Sequence, residues 1–268
     1  MGNPSHNDQQ RHKGQKREQI LKDAKRFKHL SFDKFRELAK AQDLSPFQKI
    51  GFPDAYREGH EARILEDIRQ KLPALNRASS TIIDLGCGCS ELPQMLIEAA
   101  DEQQQHLVMV DSQEMLELLP KGNYQSLAGY FPEMPALREQ YAGKADAVLV
   151  YSVMHYVLEE GNLFGFIDAA VELLAPGGGL LLADLPNINM RRRFFTSETG
   201  VASHKAFMNT DDPPEVDHLK AAPLVFDDGI VFGILQRYRN FGYQTYVMPQ
   251  DPALPMANRR EDILIVRY

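Results

Sequence analysis

The sequence predicts an α/β fold, a mostly parallel sheet with helices on both faces, from three features of the chain. After Ala78, short apolar runs alternate with helical stretches, the rhythm of right-handed βαβ units. Thr81–Leu85, His106–Asp111, Ala145–Tyr151 and Gly179–Asp184 are apolar runs, as expected of strands covered on both faces. The last two strand-like runs, Tyr243–Met248 and Asp262–Arg267, are separated by only about a dozen residues with no helical pattern. A parallel return needs a longer crossover, so these two form an antiparallel hairpin.

The other elements follow in chain order. Residues 1–16 are polar, carry no hydrophobic periodicity and read as a mobile tail. From Arg17 to about Ala41, Ile20, Leu21, Ala24, Phe27, Leu30, Phe35 and Leu38 recur at helical spacing, with a break near Ser31. Gly51-Phe52-Pro53-Asp54 reads as a turn in which Asp54 caps a following helix. That helix, about Glu58 to Leu72, places Ile64, Ile68 and Leu72 on one face before Pro73 stops it. Residues 17–77 thus form an N-terminal helical cap, and 78–268 the main domain. Helices between the strands are expected over Glu91–Ala100, Gln113–Leu119, Gly161–Leu174 and Asp228–Asn240. Some forty residues, 187–227, connect Pro186 to the last of these, far more than an ordinary strand–helix connection. Such an insertion reads as a lid over an acceptor.

Composition narrows the class. With 268 residues, 43% hydrophobic and 25% charged, the chain is globular and needs no disulfide or metal staple. The net charge of −7 argues against nucleic acid as the partner. Residues 1–40 hold eleven basic and five acidic side chains, a balance that reads as a solvated helical face. No run approaches the roughly eighteen apolar residues of a membrane span. Met1 to Glu18 lack an apolar signal core, and His6 stands where a myristoylation motif wants Ser or Thr, so the expected compartment is the cytoplasm. The two cysteines, Cys87 and Cys89, are one residue apart on a tight turn, poorly placed for a disulfide with each other. Without a second Cys/His cluster nearby, no metal site is expected.

The most informative segment is Thr81-Ile82-Ile83-Asp84-Leu85-Gly86-Cys87-Gly88-Cys89-Ser90-Glu91-Leu92. An apolar strand ends in an acid, turns through two glycines and enters a helix. Glycine lets the backbone bend sharply and a ligand approach within contact. The helix N-terminus then offers free amides and a positive dipole end. No phosphate-loop motif is present, and the third glycine of the dinucleotide fingerprint would fall on Glu91, which repels a pyrophosphate.

Asp84, Gly86 and Gly88, with Ser90 in place of a last glycine, resemble the first motif of class I S-adenosylmethionine (SAM)-dependent methyltransferases. The resemblance runs over roughly residues 55–268 and implies a seven-stranded mixed sheet with an antiparallel last strand. It implies SAM as the cofactor and S-adenosylhomocysteine (SAH) as the product. His106–Asp111 is similar to the family's second strand, whose terminal acid, here Asp111, holds the ribose diol. Ser112 and Met115 follow where the family flanks the adenine. Leu127–Pro132 matches a family segment with an acid after its glycine, a position that Tyr130 fills here, beside Phe131. Gly86, Cys87, Gly88 and Tyr151 line the implied cofactor pocket, and Tyr56 or Arg57 meets the cofactor's amino-acid end.

Ligands of open α/β sheets sit beyond the carboxyl ends of the strands. His155 and Tyr156 follow the fourth strand there. His155 is the general-base candidate, with an unperturbed pKa near neutrality. Family members often keep a histidine here for packing, and packing is the favoured reading. Tyr156 and, in the insertion, Asn187, Arg191, Arg192, Arg193 and His204 are the acceptor-binding candidates, since arginines beside aromatics hold phosphate, carboxylate or sugar-acid groups. The expected function is methyl transfer to an oxygen or nitrogen of a small polar acceptor, anionic or carbohydrate-like. An NAD-dependent oxidoreductase and a SAM-binding regulatory protein without turnover are the rivals.

Overall fold

In the computed structural model, which describes residues 27, 29–220 and 222–268, seven strands form one sheet in the order β3-β2-β1-β4-β5-β7-β6. The strands are β1 (Thr81–Leu85), β2 (His106–Asp111), β3 (Tyr124–Ala128), β4 (Ala145–Tyr151), β5 (Leu174–Pro186), β6 (Gln244–Pro249) and β7 (Arg260–Val266). β1 to β5 pair in parallel. β7 runs antiparallel to both β5 and β6, with Leu181 opposite Leu264 and Val247 opposite Ile263. The chain reverses direction from β1 toward β2 on one side and toward β4 on the other, so a crevice opens at the carboxyl ends of β1 and β4.

Alternation of side chains assigns the strands to two apolar layers. Ile83, Leu85, Val108, Val110, Val148 and Val150 face one layer with Phe166, Ile167, Ile234 and Tyr238. Ile82, Leu107, Met109, Ala147 and Leu149 face the other with Ile64, Ile68, Leu92 and Leu96. Covered on both sides, these strands have no wet face, and this is why they read as continuous apolar runs.

The helices are α1 (Phe32–Lys40), α2 (Pro46–Lys49), α3 (Glu61–Lys71), α4 (Glu91–Glu102), α5 (Gln113–Leu116), α6 (Pro135–Tyr141), α7 (Met154–Glu160), α8 (Leu163–Glu172), α9 (Ile188–Thr196), α10 (Glu198–Met208) and α11 (Asp228–Asn240). Several differ from the sequence expectation. The mobile tail and most of the first predicted helix lie outside the described residues; the break at Ser31 is the N-cap of α1, its hydroxyl accepting the Lys34 amide at 3.3 Å. Asp54 caps no helix: its carboxylate accepts the Ser45 hydroxyl instead, and α3 begins later, after His60. α3 falls within the span predicted as a cap, yet Ile64, Leu65 and Ile68 pack into the sheet's own core. The predicted helix Gly161–Leu174 ends two residues earlier and is preceded by α7, which takes up His155 and Tyr156. The insertion after β5 contains α9 and α10, each capped by a side chain: Asn187 and Ser197 accept amides of the following turn.

A buried polar network ties α3 to the far side of the sheet. Lys71 Nζ donates to Asp67 Oδ2 at 2.5 Å and to Asp262 Oδ2 at 2.6 Å, all three side chains being under a tenth exposed. Asp262 Oδ1 accepts the Asp184 amide at 2.8 Å. This takes place at a bulge in the β5–β7 pairing between Leu182 and Leu185, where Asp184 adopts φ +63°. The bulge re-aims Asp184 toward Ser152 and Arg260. Lys71→Ala leaves two buried carboxylates uncompensated, so it should lower unfolding free energy by about 3–5 kcal/mol. Urea denaturation checks this; an unchanged midpoint would show that water replaces the ammonium.

Candidate active site

At the carboxyl ends of β1 and β4 lies a cleft of about 1060 Å³ including its open mouth. Its floor is the turn after β1. Gly86 and Gly88 have φ of +79° and +65°, the left-handed region that glycine alone enters freely. A Cβ on Gly86 would lie 2.6 Å from Val153 Cγ2, and one on Gly88 2.7 Å from Ile50 Cγ2. The glycines therefore make room for the cleft wall and the cap as well as for a ligand. Ser90 occupies the N-cap of α4, but its hydroxyl accepts no amide there; it faces the cleft.

Asp111, at the end of β2, organises this floor. One carboxylate oxygen accepts the Gly88 amide at 2.8 Å and the other the Ser112 amide at 2.6 Å. Burial pushes its carboxyl up, while those two amides and the Ser112 hydroxyl pull against the rise. Asp84 is buried beside it and pushed up to about 8, by burial first and the Asp111 charge second.

The N-terminal segment supplies the roof. Phe35 of α1 packs edge-on against Tyr156 with centroids 4.8 Å apart, and Phe32 against Tyr130 at 4.9 Å. Glu114 of α5 anchors α1 by accepting two hydrogen bonds from Arg36, at 2.9 and 3.0 Å, with Lys40 3.0 Å away. Those two cations hold the Glu114 carboxyl down at about 2. Glu160, at the end of α7, accepts the Phe32 amide at 3.0 Å and the Tyr130 hydroxyl at 3.5 Å.

Arg57 enters from the side. Its guanidinium carbon stands 4.6 Å from the Phe52 ring and 4.8 Å from the Tyr151 ring, and it donates to Ser152 Oγ at 3.3 Å. Its buried Nε has no partner. Glu61 pairs with Arg57 at 3.8 Å, neither carboxylate oxygen accepting a hydrogen bond, and burial pushes its carboxyl up to about 7. Ser152 is left-handed at φ +60° and donates to Asp184, which also accepts from Arg260. Burial works against the charge of Asp184, but Arg260 and Arg57 outweigh it and keep the carboxylate ionised.

The cleft brings together Arg57, Asp84, Gly86, Cys87, Gly88, Asp111, Met115, Tyr130, Phe131, Tyr151 and Tyr156. Other candidates lie elsewhere. Ser112 is buried and uses its hydroxyl to cap α5, accepting the Met115 amide. Tyr56 stands beside Arg259. His155 lies against Tyr156, its Nδ1 buried without a partner; burial, with Arg260 adding, lowers it to about 3. Such an imidazole is neutral and a poor proton acceptor at physiological pH. Asn187 is spent on structure: it caps α9 and donates to Asp228 and Glu261. Arg192 donates to the Lys220 carbonyl at 2.6 Å, and Arg193 pairs with Asp228 at 2.5 Å. Arg191 and His204 meet at Phe195. Residues that sequence reasoning missed are Phe32, Phe35, Ile50 and Phe52 of the roof, Ser152, and Glu160. The apolar spacing of Phe35 signalled a helix, with nothing to say what it covers. Both cysteines are free. No metal-binding group of three or more His, Cys, Asp or Glu occurs among the described residues, and none of their helices is long and apolar enough to cross a membrane.

Asp84 yields a pH test. Unfolded, an aspartyl carboxyl ionises near 3.9; folded, Asp84 keeps its proton to about 8. Between those values the folded state holds the extra proton, so this group's contribution to stability falls as pH rises and levels off above about 8. Asp84→Asn removes that slope. The melting temperature of the wild type relative to the variant should decline from about pH 4 to about pH 8; a flat difference would place the Asp84 carboxyl in water.

No protein-family model matches the chain, and no curated protein matches its sequence. Solved structures do match its shape. The CurJ carbon methyltransferase aligns at 13% identity and TM-score 0.53, covering 98% of this chain and 72% of that one. The plantazolicin methyltransferase BamL, solved with a triazolic desmethylPZN analog and SAH, aligns at 13% identity and TM-score 0.52, covering 80% and 87%. A possible exported protein from Bordetella parapertussis aligns at 11% identity and TM-score 0.52, covering 89% and 79%. Strand order, reversed β7 and these matches agree: the chain has the fold of the class I SAM-dependent methyltransferases.

Proposed function

We propose that the cleft binds SAM and directs its methyl group to an oxygen or nitrogen of a small polar acceptor. The observation that carries this reading is Asp111. One oxygen accepts the Gly88 amide and the other the Ser112 amide, with the Ser112 hydroxyl as a further donor, and the carboxylate keeps lone pairs to accept the hydroxyls of a ribose diol. The other residues fit the same ligand. Arg57 holds buried, unused donor capacity suited to a carboxylate at the cofactor's amino-acid end. Met115, Phe131 and Tyr130 give an apolar slot for the adenine, with the Glu160 carboxylate at its edge to accept the ring's amine. The SAH in the BamL structure supports this choice of cofactor.

When bound, SAM supplies a methyl group already activated on a sulfonium. The protein's contribution is alignment and exclusion of water, both provided by the aromatic roof of Phe32, Phe35 and Phe52. Methylation of an unactivated carbon would need a base to take a proton from that carbon. His155, held near 3, is too weak for that, and a heteroatom acceptor can release its proton to water without such a base.

Asp111→Ala removes two hydrogen bonds to a charged acceptor, each worth about 1.5–3 kcal/mol. SAM affinity measured by calorimetry should fall at least about tenfold, with the helical circular dichroism retained. An unchanged dissociation constant would contradict the reading. Incubation with methyl-labelled SAM and a panel of small alcohols, amines and acids then identifies the acceptor class; SAM binding with no transfer across the panel would favour a binding protein without turnover.

A further inference from the structure

Three side chains of different elements converge on the ring of Phe195 in α9. The guanidinium carbon of Arg191 lies 5.1 Å from its centroid and that of Arg259 lies 5.5 Å away. The His204 ring of α10 meets it edge-on at 6.1 Å. Among the described residues, neither guanidinium has a hydrogen bond or an ion pair, in contrast to Arg192, Arg193 and Arg260 nearby, which all have acceptors. Arg259 is half-buried, and burial together with the Arg260 and Arg191 charges pushes its guanidinium below the ordinary arginine value. A fold that gathers two unpaired guanidiniums around one aromatic ring leaves donors and positive charge that no protein acceptor takes up.

The cluster also stands next to the cleft. Arg259 is followed by Arg260, whose guanidinium lies 5.7 Å from the ring of Phe52, a residue of the cleft wall. The Arg259 carbonyl accepts the Asn187 amide at 3.0 Å, which joins this residue to the chain entering α9 at the carboxyl end of β5.

We propose that Arg191, Arg259 and His204 around Phe195 form a subsite for an oxyanion, a phosphate or carboxylate group, of the methyl acceptor. The assignment of that ligand as the acceptor rests on the methyl-transfer reading; the oxyanion subsite stands on its own. The planar ring holds the two guanidinium groups by stacking, so that their donors stay free to fork onto oxygens of the anion. Arg192 and Arg193, though adjacent in sequence, take no part.

The test is calorimetric titration of the full chain with inorganic phosphate in one arm and malonate in the other, with SAH titrated separately into the same samples. The subsite predicts saturable binding of at least one of the two anions by the wild type. Arg191→Gln and Arg259→Gln should each weaken it at least about tenfold, whereas Arg237→Gln, which removes the same charge elsewhere, should leave it unchanged. Preference between the arms tells phosphate from carboxylate. Should Arg259→Gln fail to fold, Arg191→Gln, at an exposed position of α9, carries the test alone. Saturation equal in wild type and Arg191→Gln, or no saturation by either anion, overturns the subsite. Loss of anion binding in the variants with no SAH binding by any sample would uphold the subsite and contradict the methyl-transfer reading instead.

Discussion

At the carboxyl end of β2 the Asp111 carboxylate accepts the Gly88 amide on one oxygen and the Ser112 amide on the other. One half-buried group thereby holds the turn after β1 and the turn before α5, the two loops that form the cleft floor. Those backbone donors favour the ionised form that burial opposes. The left-handed turn at Gly86 and Gly88 brings the amide within reach, and the roof closes over the same turn through Ile50. Floor, turn and roof therefore share one anchor.

Charge is distributed unevenly around that anchor. The cleft sets the carboxylates of Asp111 and Glu160 against the guanidinium of Arg57, with Asp84 protonated up to about 8 between the strands. Beyond Phe52, the unneutralised guanidiniums of Arg191 and Arg259 suit an anion. Between the two lies the buried exchange of Ser152, Asp184 and Arg260, fully hydrogen-bonded and connected through Asp262 to Lys71. Two left-handed residues, Ser152 and Asp184, meet in that network at the ends of adjacent strands. Strain held by surrounding contacts is a common feature of functional sites.

Most of the sheet was legible because its physics is local, though the more polar β3 was not read as a strand. β1, β2 and β4 coincide with their apolar runs residue for residue, and the short link between the last two strands signalled their antiparallel pairing. The glycine turn and the acid ending β2 were legible for a similar reason, since each needs a residue type fixed by backbone geometry or ligand chemistry. Side-chain partners were not. Nothing in Arg191-Arg192-Arg193 says that Lys220 takes one and Asp228 another, leaving the first free for Phe195. Nor does the sequence show that Arg259, almost seventy residues away, stacks on that same ring, or that burial disables His155 as a base. The roof was equally opaque: Phe35 read only as an apolar position of a helix and Phe52 only as part of a turn, and together with Phe32 they line the cleft.

The claim on which all of this turns is that the cleft recognises a ribose diol attached to a cationic amino-acid chain rather than a dinucleotide. Calorimetric titration of the unmodified chain with SAM, and in parallel with NAD, decides it. The account predicts saturable binding of SAM with no heat of binding from NAD. Binding of NAD with none of SAM would contradict it.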